Sequence, residues 1–272
     1  MLLDHVRYPR NGGRCGNTTK HAATEGAILT LAINLDRSVE RLAALQAQFD
    51  RSGRTFDRFS AIEPSEVDTH PEFDNRRFRS LHNRAIRKGE LGCALSHKRC
   101  LEKFLTSREE HCLIFEDDVS FDDNTFPTID ATMAWLAAHP NERWHCVNLS
   151  STYRRRFRDL AEIRGRRLRR SWQFPLLTSA LLWNRDGAKT FLDHLNAKLI
   201  HTPIDNQLRL MLSRSGFGLS FEKPPVGLGH FESVIAPEVG SGANFRSMRN
   251  SWYDLRRRLP VYGWAIWNNF RC

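Results

Sequence analysis

The chain reads as an α/β protein with an open, mostly parallel sheet flanked by helices. Apolar runs of strand length alternate along it with segments of helical periodicity, which is the pattern of that class. The run Cys112, Leu113, Ile114, Phe115 is apolar throughout, as in a strand buried in a sheet. Three consecutive acids, Glu116, Asp117 and Asp118, end that run, at the carboxyl end of a strand where open sheets bind their ligands.

Residues 1–26 mix Arg, Asn, Gly, Thr and His without periodicity and are expected to form a disordered leader. A main domain is expected over 27–244. It opens with the apolar run Ile28 to Leu35. Ser38 then caps a helix carrying Leu42, Leu45 and Phe49, which closes near Gly53. Thr55 to Ala61 suits a second strand, and the charged stretch Glu63 to Arg87 a long loop over a site. Gly89 to Ser107 places Leu91, Ala94, Leu95, Leu101, Phe104 and Leu105 on one helical face and delivers the chain into the strand before the acids. Ile129, Met133 and Leu136 mark a further helix, and Trp144 to Leu149 a strand.

Nine arginines between Arg154 and Arg170 are too dense to bury, and read as a solvated, mobile loop or an anion-binding flap. Order resumes at Phe174 to Trp183, followed by a helix with Ala188, Phe191, Leu192 and Leu195, another starting near Pro203, and a late strand at Phe217 to Phe221. Residues 245–272 form a basic, aromatic tail. Its interleaved Arg, Trp, Tyr and Phe suit an anionic lipid headgroup interface, or else rings packed on the core with Pro260 and Gly263 breaking any long helix.

At 272 residues, 40% hydrophobic and 26% charged, the chain has the composition of an ordinary soluble protein. Its net charge of +10 and pI near 9.7 point to a polyanionic partner: nucleic acid, an anionic membrane surface or a phosphorylated glycan. The six cysteines form no C-x-x-C motif and mostly sit among apolar residues, which fits reduced, buried thiols. With no apolar stretch of membrane-spanning length and a polar N-terminus, a cytoplasmic location is expected.

Adjacent carboxylates repel unless something positive lies between them. A hard divalent cation, Mg²⁺ or Mn²⁺, is the simplest such partner, because it takes one or two protein carboxylates and leaves room for substrate phosphates. Strand alternation puts Glu116 and Asp118 on one face and Asp117 on the other. The competing reading is a solvated turn, since Asp122, Asp123 and Asn124 keep the following loop acidic.

Four separated segments make the chain similar to glycosyltransferase family 25, the lipopolysaccharide and lipooligosaccharide biosynthesis transferases. These are Ile33 to Arg37 with Arg41 and Gly53; Gly89 to His97; Phe115 to Val119; and Gly187 to Lys189 with Pro203, Ile204 and Asp205. The resemblance implies a GT-A type, nucleotide-sugar-binding fold that uses Mn²⁺ or Mg²⁺. It also implies inverting transfer of a hexose, commonly galactose, from a UDP-sugar onto a lipopolysaccharide or related glycan acceptor.

On that resemblance Asp118 is the first metal ligand, assisted by Glu116, while Asp117 contacts the donor or holds the turn. Asn34, Leu35 and Arg37 meet the nucleotide, with Arg37 and Arg41 as plain helix-surface charges on the alternative reading. Ser96 and His97 belong to the donor pocket or form a buried hydrogen-bonded pair. Asp205 is the base or a sugar contact, or only a first-turn acid favoured by the helix dipole. Glu90 is a second acid of the site, and His230 a late metal ligand or a loop residue. Trp183 stands where family members often carry tyrosine, so sugar specificity does not transfer there. The basic, aromatic tail adds to the cytoplasmic expectation a peripheral place on the inner face of the cytoplasmic membrane, and no specific nucleic-acid partner is expected. A basic nucleic-acid-binding protein and a metal-dependent phosphohydrolase are the readings from other classes.

Overall fold

The computed structural model describes residues 28–153, 155–229 and 248–271. The expectations for the leader 1–26, for Arg154 and for His230 lie outside them. The first strand, β1 (Ile28–Asn34), runs into helix α1 (Val39–Arg51) and returns as β2 (Asp57–Ser60), paired parallel to β1. Helix α2 (Asn75–His82) and the long α3 (Lys88–Thr106) lead to β3 (His111–Glu116), parallel to β1 on its other side, with Ile33 opposite Glu116. The chain continues through β4 (Val119–Phe121), α4 (Thr125–Ala138), β5 (Cys146–Asn148), β6 (Phe157–Ile163), β7 (Arg166–Ser171) and β8 (Ala180–Asn184). It closes with α5 (Arg185–Lys198), α6 (Ile204–Ser215), β9 (Gly218–Phe221), β10 (Val226–Leu228) and α7 (Met248–Arg271).

Eight strands form one sheet in the order β2-β1-β3-β8-β5-β9-β7-β6, and β10 pairs with β4 in a small second sheet. The pairings give six strands one direction, with β8 and β7 running against them. Helices cover both faces, so the central strands carry apolar residues toward both sides rather than at alternate positions only. Leu31 and Ile33, Cys112 and Ile114, Leu181 and Trp183 face one core with α2, α3, α5 and α6. Ala32, Leu113, Phe115, Ala180 and Leu182 face the other, with Leu45 and Phe49 of α1 and Phe126 and Ile129 of α4.

Three expectations are corrected. The stretch Glu63 to Arg87 is not one long loop, because α2 interrupts it: the Asp74 side chain caps the helix by accepting from the Arg77 N–H at 2.9 Å, and Phe78 is fully buried. From Phe157 onward the arginine-rich segment is not a mobile loop but the β6–β7 hairpin at the sheet edge. Its turn places Arg164 and Gly165 at φ 49° and 74°, the backbone of a tight two-residue hairpin connection. Arginine density packs here because carboxylates meet it. Arg169 donates to Asp159 at 2.7 Å and Glu222 at 2.9 Å; Arg170 donates to Glu142 at 2.8 Å and to the carbonyls of Arg143 and Gly216.

Pro260 and Gly263, finally, do not break the tail, and α7 runs through both as one helix. A proline inside a helix forfeits one backbone hydrogen bond. Tertiary contacts offset that loss: Val261 and Ala265 are buried, the Asn268 amide donates to the Ser213 carbonyl at 2.8 Å, and Arg214 lies over the Trp264 ring. Cys93, Cys100, Cys112 and Cys146 are free thiols, as their apolar settings predict.

Candidate active site

Alternation along β3 divides the acidic trio between the two sides of the sheet. Phe115 faces the α1–α4 core, so Glu116 turns toward α3 and Asp117 turns back toward α1. Oε1 of Glu116 collects three donors: Thr178 Oγ1 at 2.7 Å, His97 Nε2 at 3.1 Å and Cys93 Sγ at 3.7 Å. Burial pushes the Glu116 carboxyl up, but the hydrogen bond and charge of His97, with the bonds from Thr178 and Cys93, hold it below the ordinary range. Burial, and then the charge of Glu116, push the Cys93 thiol well up, so it stays protonated.

Asp117 is held from the other side. Asn34, buried at the end of β1, donates to Asp117 Oδ2 at 2.7 Å, and Arg41 of α1 reaches Oδ1 at 3.2 Å. Arg41 is therefore a structural partner of the trio and not a plain surface charge. Asn34 also accepts from Arg58 of β2 at 3.1 Å, so one amide ties together the ends of β1, β2 and β3.

Asp118 is left over. Its Oδ1 is buried with no hydrogen-bond partner among the described residues. Burial, then the charges of Glu116 and Asp117, push its pKa up to about 6. All three acids line a cavity of about 290 Å³ beyond the carboxyl ends of β1 and β3, together with Leu35, Arg37, Arg41 and Lys88. Arg37 pairs with Glu63 across its rim at 2.5 Å. The cavity thus combines an acidic floor, in which only Asp118 of the trio keeps a buried unpartnered oxygen, with basic groups on its walls. A divalent cation fits at Asp118, whose hard oxygen donor and neighbouring carboxylates suit Mg²⁺ or Mn²⁺.

Helix α3 meets the cavity through close backbone approach. A Cβ on Gly92 would come within 2.4 Å of the Ile62 carbonyl, and the next turn of α3 holds the same residue, Ser96 Oγ accepting from the Ile62 N–H at 2.8 Å. Ser96 therefore fixes the cavity wall, while His97 beside it orients Glu116. Cys93 Sγ, His97 Nε2 and a Glu116 oxygen lie within 4.8 Å of one another. With the thiol protonated and all three hydrogen-bonded, they read as a set that positions Glu116.

Glu90 has a structural role at the start of α3. Both its oxygens are taken by Arg84, at 2.7 and 2.6 Å, and Oε2 also accepts from the Arg87 N–H at 2.9 Å, so it caps α3. Asp205 opens α6, where its Oδ1 accepts from the Asn206 backbone at 2.7 Å and side-chain amide at 2.9 Å. Burial raises its pKa, and it lies close enough to Cys93 for its charge to act on that thiol. Gly187 of the fourth segment serves packing: a Cβ there would sit 2.2 Å from the His145 carbonyl.

Sequence reasoning missed Thr178 and Lys88. Thr178 lies in the irregular run before β8 and Lys88 at the first position of α3, and neither belongs to a periodic pattern that would single it out.

An open α/β sheet with an acidic cavity at the ends of its parallel strands defines a ligand-binding class. The particular family follows from the sequence: residues 28–208 match glycosyltransferase family 25 (LPS biosynthesis protein), and the chain belongs to that family. It is 30% identical over 96 residues to a glycosyltransferase 25 family member of Anopheles gambiae, covering 33% of this chain and 16% of that protein. It is 34% identical over 104 residues to the inactive glycosyltransferase 25 family member 3 of Homo sapiens, covering 36% and 17%. The chain thus spans about a sixth of the length of the curated relatives it matches. Among solved structures it is similar to a glycosyltransferase involved in the glycosylation of the major capsid of PBCV-1, at 10% identity and a TM-score of 0.39, covering 85% of this chain and 98% of that one.

Proposed function

We propose that this chain is an active, metal-assisted glycosyltransferase that moves a hexose, galactose first among the candidates, from a UDP-sugar onto a hydroxyl of a lipopolysaccharide-type glycan, with inversion. The observation that carries this reading is Asp118: a buried, unpartnered carboxylate oxygen beside two further acids, in a cavity that Arg37, Arg41 and Lys88 also line. Such a floor repels a bare diphosphate, whereas the walls attract one. A divalent cation held by Asp118 and Glu116 would neutralise charge on the departing nucleoside diphosphate.

The chain's own groups supply the rest. Leu35 and Arg37 beyond β1 border the nucleotide, Lys88 balances phosphate charge, and Arg41 holds Asp117. Asn34 and Asp117 hold the ends of β1 and β3 in register. The hydrogen bonds from His97 and Thr178 keep the Glu116 carboxylate ionised and aimed. Asp205, with its pKa raised by burial, accepts the proton of the acceptor hydroxyl as that oxygen attacks the anomeric carbon and the nucleoside diphosphate leaves from the opposite face. Glu90 is spent on Arg84 and the cap of α3, which leaves Asp205 as the base.

A screen of sugar nucleotides, with and without Mn²⁺, tests the reading. Metal-stimulated release of UDP from one UDP-hexose in the presence of a glycan acceptor is expected. Release of inorganic phosphate from phosphoesters, or tight metal-free binding to RNA or DNA, would support the competing classes instead.

A further inference from the structure

Helix α7 has two apolar sides. One is buried against the body of the protein through Val261 and Ala265. At about 100° per residue, Leu255, Leu259, Ile266 and Phe270 fall within about 60° of one another on the side turned away from those residues, with Trp267 further round the same arc. The solvent exposure agrees: Leu255 45%, Leu259 55%, Ile266 42%, Trp267 51% and Phe270 83%. Isolated exposed hydrophobics need no explanation, but five along one helix form a continuous surface.

We propose that this outward face of α7 docks the protein on an anionic lipid surface. The charge of the helix selects that occupant. Its residues include five arginines, Arg249, Arg256, Arg257, Arg258 and Arg271, against the single acid Asp254. Arg256 is exposed and lies on the apolar arc between Phe270 and Trp267. Aliphatic and Phe side chains flanked by Trp and Arg match the layering of a bilayer interface, where rings sit at headgroup level and guanidinium groups meet lipid phosphate. Among the described residues no helix is long and apolar enough to cross a membrane, so α7 would lie in the interface plane rather than span it. The helix also falls outside residues 28–208, so this surface is not part of the family match. It rests on α6, the helix whose first turn carries Asp205, which would hold the proposed acceptor side of the site near a lipid-linked glycan.

Co-sedimentation of the full chain with phosphatidylglycerol/phosphatidylcholine vesicles, beside pure phosphatidylcholine, tests the proposal. The wild type is expected to partition onto the anionic vesicles, less so at high salt. The double variant Leu259→Glu/Phe270→Glu should partition at least about tenfold less, with an unchanged circular dichroism spectrum, because both side chains point to solvent. Arg256→Glu, a milder surface change, should erase the preference for anionic over neutral vesicles. Turnover on a soluble acceptor should stay at the wild-type level in all variants, so a failure here is distinguishable from a failure of the transferase reading. Equal vesicle binding by the double variant would overturn the proposal. So would a wild type that ignores vesicles but forms dimers dissociated by Leu259→Glu/Phe270→Glu, which would make the face a contact between copies of the chain.

Discussion

The imidazole of His97 lies 3.1 Å from Oε1 of Glu116, joining the middle of α3 to the last residue of β3. His97 is buried and Glu116 only partly exposed, so this bond sets the rotamer of Glu116 from behind. His97→Ala should lower turnover by about tenfold or more, in line with the loss of a residue that orients a metal-site carboxylate. His97→Gln, which restores an N–H donor, should recover part of it. Measuring kcat, KM and the metal concentration for half-activation separates the cases: a positioning role weakens metal response in His97→Ala, whereas a purely structural role lowers only stability.

Asp118 makes stability depend on pH in an unusual direction for a carboxylate. Its pKa rises from 3.8 to about 6 on folding, so the folded state holds its proton more tightly than the unfolded chain. The stability this contributes is fully present below the unfolded pKa and is lost as pH rises through about 6, a swing of roughly 2–3 kcal/mol. Asp118→Asn should therefore raise the melting temperature of the metal-free protein near neutral pH and flatten its profile between pH 4 and about 6. A wild type and variant with parallel melting profiles would count against the burial and repulsion described.

Gly92 permits the wall of the cavity to touch α3. Gly92→Ala places a methyl group 2.4 Å from the Ile62 carbonyl, a backbone atom that the Ser96 hydroxyl already fixes through the neighbouring N–H. A loss of about 1–3 kcal/mol by chemical denaturation is expected, with a larger proportional loss of donor affinity. A neutral substitution would mean that this wall is free to move.

The hairpin arginines should behave as structure. Arg170→Ala strips Glu142 of a partner and leaves the carbonyls of Arg143 and Gly216 without their donor, at a cost of about 2–4 kcal/mol. Affinity for polyanions should scarcely change. A large drop in nucleic-acid binding at constant stability would return the segment to an anion-binding role.

Much of the architecture was legible because its strands are covered on both faces and therefore read as continuous or near-continuous apolar runs, as at Cys112 to Phe115 and Ile28 to Leu35. The split of the trio was legible too, since strand alternation alone separates Glu116 from Asp117. The hairpin was not, because its arginines balance Asp159, Glu142 and Glu222, acids that stand well apart in the chain or look like surface charges beside it. Helix α2 escaped because it is eight residues long with one dominant buried anchor, Phe78. The capping role of Glu90 was not legible because an acid beside a motif is equally a helix cap, and only the geometry of Arg84 and Arg87 shows the cap. Thr178 could not be found, since a single threonine in irregular chain carries no periodic signal.

The central claim is that the cavity at the ends of β1 and β3 takes a nucleoside diphosphate through a divalent cation at Asp118. Calorimetric titration of UDP into the full chain, with and without Mn²⁺, tests it on wild type and Asp118→Asn. Binding is expected to require Mn²⁺ in the wild type and to weaken at least about tenfold in Asp118→Asn, while the variant's fold is retained. Equal UDP affinity in the two proteins, or wild-type binding indifferent to Mn²⁺, would contradict it.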